Sequence, residues 1–447
     1  MKHVRFLMLS VLLMLLSACD NQPATPTPAI GPTQTPGVTA TVEATQPTPG
    51  GPDITPTVSA GVTSMPLVPP TPTQPAIDTL APDLEKMLNA GLRPTPVGSS
   101  DGMHIEGVRA FKLQGSKPLW VAHSYGSRSF EPEEKHYVSI YEHENERWHS
   151  LASIPLESTD YVDRAGVTQV QIEPKNMWLQ VDGGAGAHSG VFDLLRFDGT
   201  TLSLEQENFS SSPGAGEVRD VNGDGTPDLV LNGTDDFVFC YACGVRLINF
   251  TVLRWDGTKM AGVELSPLAT SAPEEAQRLN DLAIKETKGD LWKAAKENIE
   301  KAKALAPQDE TLVWNAALIG LTADARAAHT KETGHPLLAM VFYGDYDAAI
   351  ASIREYSPEE LFRPQSPLIV GTPAEGDEET LRQRIIETTT KAIEADPNLA
   401  GAYFLRGWAR FKAGADSPEA TADIVRASEL APNEELFKFA AAYMQDK

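Results

Sequence analysis

The sequence predicts a multidomain chain in which an antiparallel β-sheet repeat region is followed by an all-α helical repeat region. Two observations carry that expectation. From about 105 to 265, short apolar runs and aromatic residues alternate with Gly, Asp and Asn turns, the pattern of strands and hairpins. From about 272 to the end, Ala-rich segments repeat their apolar residues with helical period. The expected segments are 1–19, 20–78, 79–268 and 271–447.

Composition bounds the function. The chain has 447 residues, with 37 basic and 61 acidic side chains, so its net charge is −24. Nucleic acid is excluded as an expected partner, because binding it needs a basic footprint. A hydrophobic content of 41% is enough for real cores, so global disorder is excluded. Three cysteines are too few for a disulfide scaffold.

The first segment begins with Lys2 and Arg5, then an apolar run from Phe6 to Leu16. That run is too short to span a membrane, which takes about 20 residues, and suits the core of a signal peptide. Leu16-Ser17-Ala18-Cys19 follows, and it resembles the bacterial lipobox. The resemblance implies cleavage before Cys19, lipid on its thiol, and an anchor on the extracytoplasmic face of the cell membrane. Asp20 then implies inner-membrane retention if the host is Gram-negative. The competing reading is an ordinary secretory signal with an incidental cysteine.

Residues 20–78 read as a tether. Between Asn21 and Leu80 there are 14 Pro and 14 Thr, and no Lys or Arg occurs between Arg5 and Lys86. Such a segment has too little apolar surface to offset its ordering entropy, so the expectation is a disordered, extended stalk.

The β region repeats itself. Tyr141, Phe197 and Trp255 each close an alternating strand before a polar turn, with Asp198-Gly199 and Asp256-Gly257 as hairpin signals. Their spacings are 197 − 141 = 56 and 255 − 197 = 58. An earlier apolar strand precedes each: Leu119-Trp120-Val121, Met177-Trp178-Leu179 and Asp228-Leu229-Val230-Leu231. A period near 57 with four strands predicts propeller-like blades. Three blades cannot close a ring of four to eight, so the expectation is an incomplete or distorted propeller.

The third unit holds Asp220-Val221-Asn222-Gly223-Asp224-Gly225-Thr226-Pro227-Asp228. Side-chain oxygens at Asp220, Asn222, Asp224 and Asp228, with the Thr226 carbonyl, have the spacing that curls around a hard cation such as Ca²⁺. Position 12 is Leu231, so the bidentate Glu of an EF-hand is missing. The segment from Gly216 to Leu231 resembles the FG-GAP/VCBS repeat of integrin-like propellers. The alternative is a solvated turn without metal. Cys240-Tyr241-Ala242-Cys243 follows, and an oxidising compartment makes a Cys240–Cys243 disulfide the expectation over a redox pair or zinc site.

Catalytic signals are weak. Gly183 to Gly190, with His188 and Ser189, does not fit a dinucleotide fingerprint. It reads as a turn bringing backbones close, with a ligand loop as the alternative. His143-Glu144 does not extend to HExxH, and no GxSxG occurs. The expectation is a non-catalytic chain.

In the helical region, Ser271-Ala272-Pro273-Glu274 predicts a capping box and a helix over 274–287. A second helix carries Ala295, Ile299, Ala302 and Leu305 before Pro307; Ala420, Ile424, Ala427 and Leu430 precede Pro432 at identical spacing. Lys391 to Pro397 and Gly344 to Ile350 supply further instances. This pattern resembles the tetratricopeptide (TPR) helix pair. It departs at Tyr403, Gly407 and Trp408, which only approximate the first-helix signature, and Pro336 and 363–377 interrupt the array. The resemblance implies a concave groove for a protein or peptide partner, with Tyr403 and Arg406 among its lining residues. The leading expectation is therefore a lipid-anchored interaction scaffold. The alternative is a calcium-dependent glycan or cell-wall binder acting through the β region.

Overall fold

Three consecutive four-stranded antiparallel meanders make up the β part. The computed structural model describes residues 78–92, 104–128, 134–234, 238–413 and 417–445. The expected signal peptide, Cys19 and the Thr/Pro-rich segment through 77 lie outside the described residues. A short helix α1 (Leu80–Asn89) opens the described chain, with Leu84 buried against the first meander beside Ala110, Trp120 and Ala122.

The first meander is β1 (Ile105–Lys112), β2 (Leu119–Ser127), β3 (His136–Glu144) and β4 (Arg147–Leu156). The second is β5 (Tyr161–Val170), β6 (Met177–Ala185), β7 (Ser189–Phe197) and β8 (Leu202–Ser210). These two join into one eight-stranded sheet because the end of β2 also pairs with the start of β5, Gly126 opposite Val162 and Ser127 opposite Tyr161. The third is a separate sheet of β9 (Gly216–Arg219), β10 (Asp228–Asn232), β11 (Phe250–Trp255) and β12 (Met260–Gly262), each strand paired with the next.

The anchors Tyr141, Phe197 and Trp255 fall on β3, β7 and β11, the third strand of each meander. The turns after the last two share one hydrogen-bonding pattern. The Oδ1 of Asp198 accepts from Thr200 and Thr201, and the Oδ1 of Asp256 accepts from Thr258 and Lys259. The first meander instead turns through Asn145 and Glu146, both with positive φ (49° and 61°), as a tight two-residue hairpin requires.

β7, the third strand of the second meander, is buried along most of its length and reads as a nearly continuous apolar run, while β5, β6 and β8 beside it keep exposed positions. Leu195 and Phe197 pack with Val121, Val138 and Ile140 of the first meander. Phe192 and Leu194 pack with Leu229 and Leu231 of the third.

The α part runs α2 (Glu274–Lys288), α3 (Trp292–Leu305), α4 (Glu310–His329), α5 (Pro336–Tyr343), α6 (Tyr346–Ile353), α7 (Pro358–Phe362), α8 (Glu378–Ala395), α9 (Ala400–Ala413), α10 (Pro418–Leu430) and α11 (Glu435–Gln445). Ala302 and Ala427, at matching positions of α3 and α10, are fully buried. A side-chain carbon added at Gly407 would lie 2.8 Å from Ile424, so the missing side chain lets α9 and α10 close together.

Three local expectations change. No side-chain cap forms at the start of α2; Gln277 instead donates to the carbonyls of Thr270 and Ala272. A complete capping box occurs at α7, between Ser357 and Glu360. Pro336 begins α5 instead of interrupting the array, because a first-turn proline has no N–H to lose. The 363–377 segment is no surface loop: Ser366, Leu368, Ile369 and Ala374 are buried, and the last three join the helical core.

The β and α parts also share a core. Between β10 and β11, Val238 and Val245 insert into the cluster built from α5 to α11. The Cys243 carbonyl accepts from Gly334 N–H, and Arg246 N–H donates to His329 Nε2.

The alanine positions generate a prediction. Ala302→Leu and Ala427→Leu should each cost about 1–3 kcal/mol by overpacking, whereas Glu300→Gln, on an exposed side chain, should shift stability by no more than about 0.5 kcal/mol. Urea unfolding monitored by helical circular dichroism measures both. Equal midpoints for all three variants would contradict the packing described.

Candidate functional site

A cleft of about 650 Å³ lies on the second meander. Its origin is a register break. β5 pairs with β6 at Val162–Gly183 and again at Val167–Val181, so residues 163–166 bulge from the ladder. Two glycines make the bulge fit. A side-chain carbon at Gly166 would sit 2.6 Å from the Asp182 carbonyl oxygen, and one at Gly183 would sit 2.6 Å from Thr159 Cγ2. The Gly-rich stretch is thus the end of β6 and its turn, where backbones approach closely.

The hairpin tip is pinned. Asp160 accepts the Gly186 N–H at 2.9 Å and pairs with Arg128 at 2.6 Å. Beyond it, His188 stacks on Tyr241 with ring centroids 4.2 Å apart. Tyr241 stands in the single turn closed by the Cys240–Cys243 disulfide. Across the cleft, the exposed Tyr161 donates its hydroxyl to Asp163 at 2.7 Å. Asp182 also opens into this space. Desolvation by the cleft walls pushes its carboxyl above the usual range, and the like charges of Asp163 and Glu217 add to the rise. Among the described residues, no Lys or Arg lines the cleft.

The 220–228 loop is organised differently from a cation cradle. Asp220 spends both carboxylate oxygens on the N–H groups of Gly223, Asp224 and Gly225. Asn222 donates to Asp224, and Asp224 accepts the Thr226 N–H. Arg254, from β11, reaches Asp224 at 2.7 Å and lies 3.9 Å from Asp228 Oδ1. Partial burial works to raise the Asp224 carboxyl. The Asn222 amide, the Thr226 N–H and Arg254 outweigh it and hold the group at about 2. Asp228 is fully buried; its Oδ2 accepts the Val221 N–H, and burial pushes the carboxyl up. Among the described residues, no three His, Cys, Asp or Glu side chains are grouped to hold a metal ion. As arranged, these residues do not fit a resident Ca²⁺: the Arg254 guanidinium supplies the positive charge.

Tyr403 and Arg406 lie together on α9, with the guanidinium 5.3 Å from the ring. Arg406 is committed inside the fold. It makes a two-pronged pair with Asp423 of α10 at 2.9 and 2.8 Å, and Arg410 joins the same carboxylate at 2.7 Å. Ser124 Oγ lies 3.0 Å from His136 Nδ1 but also accepts the Tyr137 N–H, and both side chains are buried. This pair ties β2 to β3.

A scan against protein-family models gives no match, and a search of curated proteins gives none. Among the described residues, no helix is long and apolar enough to cross a membrane. Sequence reasoning reached the Gly-rich hairpin and His188 but missed Tyr161, Asp163, Asp182 and Tyr241. The 163–166 bulge leaves no periodic signal, and the nearest cue was the disulfide that fixes Tyr241.

One buried acid yields a pH prediction. Asp193, on β7, is 2% exposed, and burial together with Glu207 raises its carboxyl to about 7 from 3.8. Between these values the folded chain keeps a proton that the unfolded chain has lost. Stability from this group is therefore full below about pH 4 and falls as pH rises to about 7, by at most about 1.4 kcal/mol per pH unit. Asp193→Asn should raise the melting temperature at pH 8 and leave it nearly unchanged at pH 4. An equal shift at both pH values would contradict the assignment.

Proposed function

We propose that this chain is a lipid-anchored, non-catalytic binding protein of the bacterial cell envelope that docks a protein partner through its TPR-like helical region. The anchor rests on the lipobox-like Leu16-Ser17-Ala18-Cys19 and the Thr/Pro-rich segment after it. The docking face rests on one observation. On α4, the 20-residue helix, Val313, Ala317, Leu318 and Leu321 are only half-buried and, among the described residues, belong to none of the hydrophobic core clusters. Arg406 is engaged with Asp423, so α4 replaces α9 as the expected docking helix. The chain's charge of −24 favours a partner segment that is apolar on one face and basic around it.

The test is site-specific photocrosslinking in the native envelope. A crosslinker at Leu321 is expected to give a discrete adduct with another protein, and the same crosslinker at exposed Glu300 none. Cys19→Ala should move the chain from the membrane fraction to the soluble one. No adduct from Leu321 would overturn the docking reading. An unchanged membrane fraction for Cys19→Ala would overturn the anchor.

A further inference from the structure

We propose that the cleft on the second meander binds a sugar chain bearing free amino groups. The reading is independent of the docking face on α4. Its chemistry follows from what lines the space. The aromatic rings are of two kinds: Tyr161, 40% exposed on one wall, and His188, backed by Tyr241 at the hairpin tip. An exposed ring face carries negative electrostatic potential and accepts the electropositive C–H face of a pyranose. The volume of about 650 Å³ falls within the usual range for small-molecule sites.

The polar groups select further. Asp163 and Asp182 are acceptors, and among the described residues no Lys or Arg lies on the walls to neutralise them. Phosphate and carboxylate ligands would meet repulsion. Asp182 is already crowded by the like charges of Asp163 and Glu217. A ligand ammonium group beside it removes that repulsion, and ligand hydroxyls can donate to Asp163, which already holds the Tyr161 hydroxyl. The side chains are placed before any ligand arrives. Gly166 and Gly183 lock the bulge, Asp160 and Arg128 pin the tip, and the disulfide turn fixes Tyr241. Preorganisation of this kind lowers the ordering cost of binding.

Calorimetric titration of the purified full chain at pH 7 provides the test, with a glucosamine tetramer, an N-acetylglucosamine tetramer and tetralysine as probes. The glucosamine tetramer should bind at least about tenfold more tightly than the other two, the loss expected when a charge-assisted hydrogen bond is missing. Asp182→Asn should weaken the glucosamine tetramer by about the same factor. His188→Ala, at the exposed hairpin tip, should weaken both sugars and provides a reading that does not depend on Asp182. Absence of binding heat with either sugar would overturn the proposal. So would tetralysine matching the glucosamine tetramer, or an affinity that neither variant changes.

Discussion

Arg326 is the side chain on which the rest of the structure depends. It lies on α4, 4% exposed, and its guanidinium donates to the Ile248 carbonyl before β11, to Asp290 between α2 and α3 at 3.0 Å, and to the Phe342 carbonyl at the end of α5. Trp292 covers it at 5.0 Å. A buried arginine is costly unless its donors are met, and here three different parts of the chain meet them. Asp290 adopts a left-handed backbone, φ 55°, to reach it, and Lys391 of α8 shares the same carboxylate. Removing one partner would strand a buried charge, so the first helical pair, the middle helices and the β part are bound to one another's position.

That constraint explains why the β and α parts do not behave as beads on a string. The 238–249 segment leaves the third meander, buries Val238 and Val245 among the helices, and returns to β11. Its disulfide turn faces the other way as well, since Tyr241 supports His188 at the cleft. One excursion of the chain therefore holds the helical core and braces the cleft wall.

Much of the architecture was legible in the sequence because it rests on local chemistry. Tyr141, Phe197 and Trp255 mark the third strands, and the Asp-Gly-Thr turns after two of them are self-contained hydrogen-bonding units. The alanines of α3 and α10 announce close packing through spacing alone. Other features were visible yet passed over. Leu80, Leu84 and Leu88 carry the helical period of α1, and Ser357 and Glu360 spell the capping box of α7. What stayed hidden depends on distant residues. Arg254 meets Asp224 from 30 residues away and changes what the 220–228 loop can hold; Asp423 captures Arg406; Arg326 finds partners on three elements. No pattern within a window of sequence contains such pairings.

The central claim is that both parts unfold as one unit because Arg326 and the 238–249 excursion join them. Guanidinium unfolding of the whole chain, followed in parallel by helical circular dichroism and tryptophan fluorescence, tests it most directly. The account expects one coincident transition in the native protein, and in Arg326→Leu a loss of about 3–5 kcal/mol with the two signals separating. Two separate transitions in the native protein, or an Arg326→Leu curve superimposed on it, would contradict the account.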